Sequence, residues 1–235
     1  MAIKIAVCTA WGSPFSWTPA VYNLMNLKRP EGVEVAFYPG KGWCPARRHM
    51  YGVECAIKWD ATHVCFLGAD QVHELDILVK FTKHIKDGWK IITALVPVRG
   101  RLDKNEKPFQ PMAWKLVDGE FKNINPSDAP YQEVDLVGSG ALIFDIKLLK
   151  LLKKPWFKEK ITDNDYNRSP TMDTSFTYKL SRVSKSKILC DCTIGVKHLD
   201  TFAIDPSFGD RFSDWPIDSK DSVENSLVNM YQFVS

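Results

Sequence analysis

Thr62-His-Val-Cys-Phe-Leu-Gly-Ala-Asp70 is a run of strand length, apolar almost throughout, that ends on an acidic residue. A continuous apolar run of this kind, rather than an alternating one, reads as a strand buried on both faces of a parallel sheet. Working outward from Thr62–Leu67, further strand-like runs stand at Ile3–Thr9, Val33–Tyr38 and Trp89–Val96. Between them lie stretches with helical spacing. Trp17–Leu27 puts Val21, Leu24, Met25 and Leu27 on one side, Pro45–Trp59 opens on proline, and Leu75–Ile85 carries Leu75, Leu78, Val79 and Phe81 as a stripe. Strand and helix alternate three times within about 95 residues. That order predicts an α/β fold with a mostly parallel central sheet and helices on both faces.

The second half is less regular. Residues 99–130 are rich in Pro, Lys, Asp and Asn, with a hairpin expected at Val117-Asp118-Gly119-Glu120. Val134–Phe144 reads as one long strand interrupted by Gly138-Ser139-Gly140. Helices are expected at Ile146–Leu152 and Thr174–Ser184, with strands at Lys187–Cys190 and Ile194–Val196. After Phe202 the periodicity fades, apart from a closing helix expected over Val223–Phe233.

With 235 residues, 45% of them hydrophobic, the chain is sized for one large domain and carries enough apolar material for a packed core. The net charge of +3 does not mark a nucleic-acid binder, which concentrates basic residues in a patch or stripe. The lysines and arginines of Lys83–Lys107 and Lys147–Lys160 read first as solvated faces. Six cysteines include no C-x-x-C pair; Cys8, Cys65 and Cys190 lie inside strand-like runs and read as buried free thiols. Reduced thiols and the lack of a signal-peptide pattern point to a cytoplasmic protein, and no apolar run approaches the ~20 residues of a membrane span.

Ligands of open α/β sheets bind outside the carboxyl ends of the strands. This singles out Thr9-Ala10-Trp11-Gly12 after the first strand, Gly68-Ala69-Asp70 after the third, the glycines at 138 and 140, Asp173 at the start of a helix and His198 at a strand end. A carboxylate in the position of Asp70 suits a hard divalent cation, and it equally suits a helix cap. His73, three residues on, is placed either as a ligand or, the reading preferred, as a solvent-facing residue of the first helical turn that follows. Trp11 is placed either to stack on a base or to pack in the core, and Asp173 either to act as a base or to cap its helix.

Six segments resemble, in order and spacing, the GT-A fold glycosyltransferases, especially the family 2-like kind. Thr62–Asp70 resembles the strand and Asp-x-Asp metal motif, with Gly68 in place of the first Asp and Asp70 keeping the second. Ile3–Gly12 resembles the first strand and nucleotide loop. Pro45-Ala-Arg-Arg48 resembles the helix start whose Arg meets the donor, with Arg48 or His49 where the family has Asn. Val134–Ile143, followed by Pro155-Trp-Phe157, resembles the Gly-x-Gly strand. Met172-Asp173-Thr-Ser-Phe176 resembles Glu-Asp-x-x-Phe with Met172 for Glu, and Val196-Lys-His198 resembles the late strand ending in a metal-binding His.

The resemblance implies a single Rossmann-like GT-A domain over 1–235. Residues 1–97 would be its nucleotide-sugar half, 98–200 its acceptor-side half and 201–235 a tail of no assigned role. It implies a metal-dependent, inverting transfer of a sugar from a nucleoside-diphosphate sugar to an acceptor hydroxyl. Asp173 would be the base, Mn²⁺ or Mg²⁺ would be held by Asp70 and His198, and the donor nucleotide would lie against Thr9, Ala10, Trp11, Arg47, Arg48, Gly68 and Asp70. Gly138, Ser139 and Gly140 would flank the reacting sugar. A glycan, a protein or a modified nucleobase in DNA is the acceptor class left open. Two rivals stand beside it: a non-catalytic nucleotide- or sugar-binding protein, and a nucleotidyltransferase. The latter would carry a basic glycine-rich loop where this chain has Thr9-Ala-Trp-Gly12.

Overall fold

The computed structural model describes residues 2–11, 17–98, 110–158, 171–199 and 203–204. The first strand, β1 (Ile3–Thr9), lies beside β2 (Val33–Pro39) on one side and β3 (His63–Leu67) on the other, all parallel. Beyond β3 comes β10 (Ala141–Asp145), antiparallel to both β3 and β5 (Ile91–Leu95). Next to β5 runs β11 (Ile188–Leu199), parallel to it, and the two-residue β12 (Ala203–Ile204) closes the edge. The order is therefore β12-β11-β5-β10-β3-β1-β2, with β4 (Gln71–His73) and β8 (Tyr131–Val134) also paired to β11. This is the mostly parallel α/β sheet that the alternation predicts.

Side-chain alternation divides the sheet's two faces. Ala6, Cys8, Val64, Phe66, Leu142 and Phe144 point to one face, where α2 (Pro45–Lys58) and α4 (Met172–Ser184) pack. Ile5, Val7, Cys65, Leu67, Ala141 and Ile143 point to the other, under α1 (Thr18–Met25) and α3 (Ile77–Lys86). Buried residues of this size stabilise by roughly 1.5–3 kcal/mol each, so the two faces carry the bulk of the fold's stability. Cys8, Cys65 and Cys190 are buried free thiols.

Three expectations need correcting. The apolar stretch from Val134 to Phe144 is not one strand. It splits between β8, β9 (Leu136–Val137) and β10, and β9 leaves the central sheet to join a small one with β6 (Ala113–Val117) and β7 (Glu120–Asn123). Lys187–Cys190 and Ile194–Val196 belong to one long strand, β11, whose register shifts between Asp191 and Gly195. The third helix starts at Ile77 rather than Leu75, because Gln71–His73 forms β4 instead of a helical turn. Met25 (80% exposed), Leu75 and Val79 also stand outside the apolar stripes assigned to them.

The hairpin at Asp118-Gly119 forms as expected. Both turn residues have positive φ (53° and 85°), the pair a tight type I′ connection requires. Ile146–Leu151 is a 3-10 helix. No helix among the described residues is long and apolar enough to cross a membrane. Gly12, residues 99–109 and the Val223–Phe233 helix lie outside the described residues.

Candidate functional site

The antiparallel setting of β10 places the site. Ala141 pairs with Leu67, so the start of β10 lies beside the carboxyl end of β3. Gly138-Ser139-Gly140 therefore sits at the same sheet end as Asp70, and the Gly68 N–H donates to the Gly140 carbonyl at 2.7 Å. The first loop arrives there too. The Gly40 N–H donates to the Thr9 carbonyl at 2.6 Å, tying the end of β2 to the end of β1 just before Pro45 opens α2.

β4 brings Asp70 to His198. His198 pairs with Gln71 across β4 and β11, and the Leu199 N–H donates to the Asp70 carbonyl at 2.7 Å. His198 Nε2 then stands 3.3 Å from Asp70 Oδ2, while Nδ1 lies 3.1 Å from the Pro97 carbonyl oxygen. Asp70 does not cap α3, whose N-cap position is held by Asp76. Two residues separated by 128 positions in the chain are thus brought together.

His73 corrects the reading that faced it to solvent. It is 2% exposed, and neither ring nitrogen has a hydrogen-bond partner among the described residues. Burial pulls its pKa down to about 4; the Gly68 backbone and the Asp70 charge offset this only in part. Backbone bonds to Asn23 hold it in place, with the His73 N–H donating to Oδ1 and the Asn23 amide donating to the His73 carbonyl.

Gln71 escaped the sequence reading, since a lone amide in an expected helical turn gives no signal. It is 3% exposed and its Oε1 has no partner among the described residues. Its carboxamide fills the space beside both glycines: a Cβ on Gly68 would come within 2.4 Å of its Cδ, and one on Gly140 within 2.5 Å of its Nε2. These glycines therefore make room for a protein side chain.

Asp173 lies inside the first turn of α4, two residues after the N-cap position held by Thr171. Its Oδ2 accepts from the Ser139 N–H at 3.0 Å and lies 3.2 Å from Ser139 Oγ. Its Oδ1 accepts from the Thr174 N–H at 2.9 Å and from the Thr171 hydroxyl. Ser139 Oγ also lies 2.9 Å from His49 Nε2 on α2. Helices α2 and α4 thus meet through one serine.

The remaining candidates spread around this centre. Arg47 is exposed on the first turn of α2, and the Arg48 Nε–H donates to the Gly42 carbonyl at 3.0 Å. Thr9 is buried and Ala10 half-buried. Trp11 packs against the core on the α1/α3 face, with its Nε1 buried and unpartnered among the described residues. No group of three or more His, Cys, Asp or Glu among the described residues is placed to hold a metal ion.

No protein-family model and no curated protein sequence matches the chain. Solved structures do resemble it. A197 from STIV overlays with a TM-score of 0.60 at 14% identity, over 88% of this chain and 91% of that one, and this likeness is one of fold. UDP-glucose pyrophosphorylase complexed with UDP-glucose gives a TM-score of 0.43 at 11% identity, over 86% of this chain and 68% of that one. S. aureus TarS 1-349 in complex with UDP gives 0.45 at 13%, over 81% and 57%. Overlaps as loose as these last two decide nothing about this chain.

Proposed function

We propose that the chain is a metal-dependent glycosyltransferase acting on a nucleoside-diphosphate sugar, and that the reaction inverts the anomeric carbon. The observation that carries this reading is the Asp70–His198 pair at the carboxyl end of β3, facing the sheet end where Gly138–Gly140 and Asp173 also gather.

The chemistry of the pair fits a cation. A carbonyl oxygen only accepts, so the contact with Pro97 puts a hydrogen on His198 Nδ1 and leaves a lone pair on Nε2 in the neutral ring. That lone pair faces a carboxylate oxygen at 3.3 Å, an unfavourable meeting unless a proton or a metal ion lies between them. Imidazole nitrogen with carboxylate oxygen is a donor set that Mn²⁺ accepts, with diphosphate oxygens and water to complete it. A bound Mn²⁺ or Mg²⁺ would supply Lewis-acid neutralisation of the leaving diphosphate. Arg47 and Arg48, on the first turn of α2, are suited to the donor's phosphates. Asp173 takes the acceptor hydroxyl's proton as its oxygen attacks the anomeric carbon and the bond to the diphosphate breaks.

A binding protein without catalysis is the second reading. It is favoured by the four contacts already made by the Asp173 carboxylate, which fill the acceptor capacity of such a group. Calorimetry with UDP, GDP and CDP separates the possibilities when paired with a hydrolysis screen of the matching sugar nucleotides. The transferase reading expects tighter binding with Mn²⁺ in the wild type, no such gain in Asp70→Ala, and Mn²⁺-dependent release of diphosphate. Metal-dependent binding without release favours the binding protein, and binding indifferent to metal in both proteins removes Asp70 from the site.

A further inference from the structure

His49 lies on α2 between the rings of Phe66 and Phe157, at centroid distances of 4.7 and 5.1 Å. Its Nδ1 is 2.9 Å from the Pro45 carbonyl oxygen and its Nε2 is 2.9 Å from Ser139 Oγ. Because the carbonyl only accepts, Nδ1 carries a hydrogen. Burial among these rings lowers the imidazole's pKa. Arg48 pushes the same way, and the Pro45 carbonyl and the Asp173 charge oppose without prevailing. The neutral ring therefore offers Nε2 as an acceptor, and the partner in reach is the Ser139 hydroxyl.

Ser139 has one hydroxyl hydrogen and two acceptors competing for it: His49 Nε2 at 2.9 Å and Asp173 Oδ2 at 3.2 Å. We infer that His49 draws the Ser139 hydroxyl hydrogen away from Asp173 and so keeps Oδ2 open to an acceptor's hydroxyl. Oδ2 then retains only the Ser139 N–H, which orients it, while Thr171 and Thr174 hold Oδ1. His49 is in this sense a positioning residue: it touches no substrate, and it sets which lone pair of the base is free. The inference rests on Asp173 being the base, and it removes the saturation that favours a binding-only protein.

The test is a set of variants assayed for hydrolysis of a panel of UDP-, GDP- and CDP-sugars, with nucleoside-diphosphate affinity measured beside it. His49→Leu keeps an apolar fit among Phe66 and Phe157 and removes the acceptor. The Ser139 hydroxyl then turns to Asp173, and kcat falls on the order of 10²-fold, the scale of losing a positioned base. His49→Gln, which can accept through its side-chain carbonyl, retains most of the rate. Adding Ser139→Ala to His49→Leu removes the hydroxyl that blocks Oδ2 and raises kcat above that of His49→Leu alone. A purely structural His49 predicts the reverse, a double variant slower than either single one. That result, or a His49→Leu protein with normal kcat, overturns the inference. Ring ¹⁵N shifts of His49 give a readout that needs no turnover: a hydrogen found on Nε2 of the neutral ring overturns it whatever the chain transfers. The expected tautomer in a wild type that hydrolyses none of the donors instead sinks the transferase reading, and leaves His49 without a base to serve.

Discussion

At the scale of single residues, the proposed chemistry concentrates on Asp70, His198 and Asp173. Asp70 and His198 are polar groups at the ends of apolar runs, where such a side chain stands out, and Asp173 stands at the start of a helix. Asp173→Asn keeps the shape and removes the proton acceptor. It is expected to leave nucleotide binding intact and to lower turnover by roughly 10²–10⁴-fold, with NMR showing the product's anomeric configuration opposite to the donor's. Near-normal turnover, or retention of configuration, takes Asp173 out of the reaction. Gln71 and His73 were illegible at this scale. Each is polar and each is buried, but the partners that bury them, Gly68, Gly140 and Asn23, come from elsewhere in the chain or depend on a three-residue strand too short to leave a periodicity.

At the scale of elements, apolar runs that cross the central sheet were legible and composite ones were not. Ile3–Thr9 has the bounds read from the sequence because every residue from Ile5 to Thr9 is buried. The stretch from Tyr131 to Asp145 is equally apolar over much of its length, yet it serves two sheets, and burial alone does not say which partner a strand takes. Where β3 ends and β10 begins, the Gln71 carboxamide occupies the space a Cβ would need. Gly68→Ala is therefore expected to destabilise by about 1–3 kcal/mol, the usual cost of overpacking. Gln71→Ala in the same chain should return part of that loss. Urea unfolding of the two single variants and the double variant checks it, and additive losses would mean that the glycine serves some other need.

At the scale of the whole molecule, buried neutral histidines tie stability to pH. The folded chain holds His73 at a pKa of about 4, against an ordinary value of about 6.5 in the unfolded chain. Between those values the unfolded state binds the extra proton, so stability is lost as pH falls through the window and is whole above it. Lowering pH from 7 to 5 should cost about 2 kcal/mol through this residue. His73→Leu should remove that part of the slope in urea titrations, leaving whatever His49 and His63, both shifted down by burial, contribute. An unchanged slope in His73→Leu would show that the ring charges without unfolding the protein. The sequence by itself determined the α/β class and the sheet end at which the candidate residues gather, because strand and helix periodicities are local properties and a parallel sheet collects its loops at one edge. Only the tertiary structure decided that β10 runs antiparallel and that β4 forms. Those two placements set Ser139 between His49 and Asp173 and His198 against Asp70, since pairings between residues 34 to 128 positions apart are chosen by which buried surfaces fit and not by any local pattern.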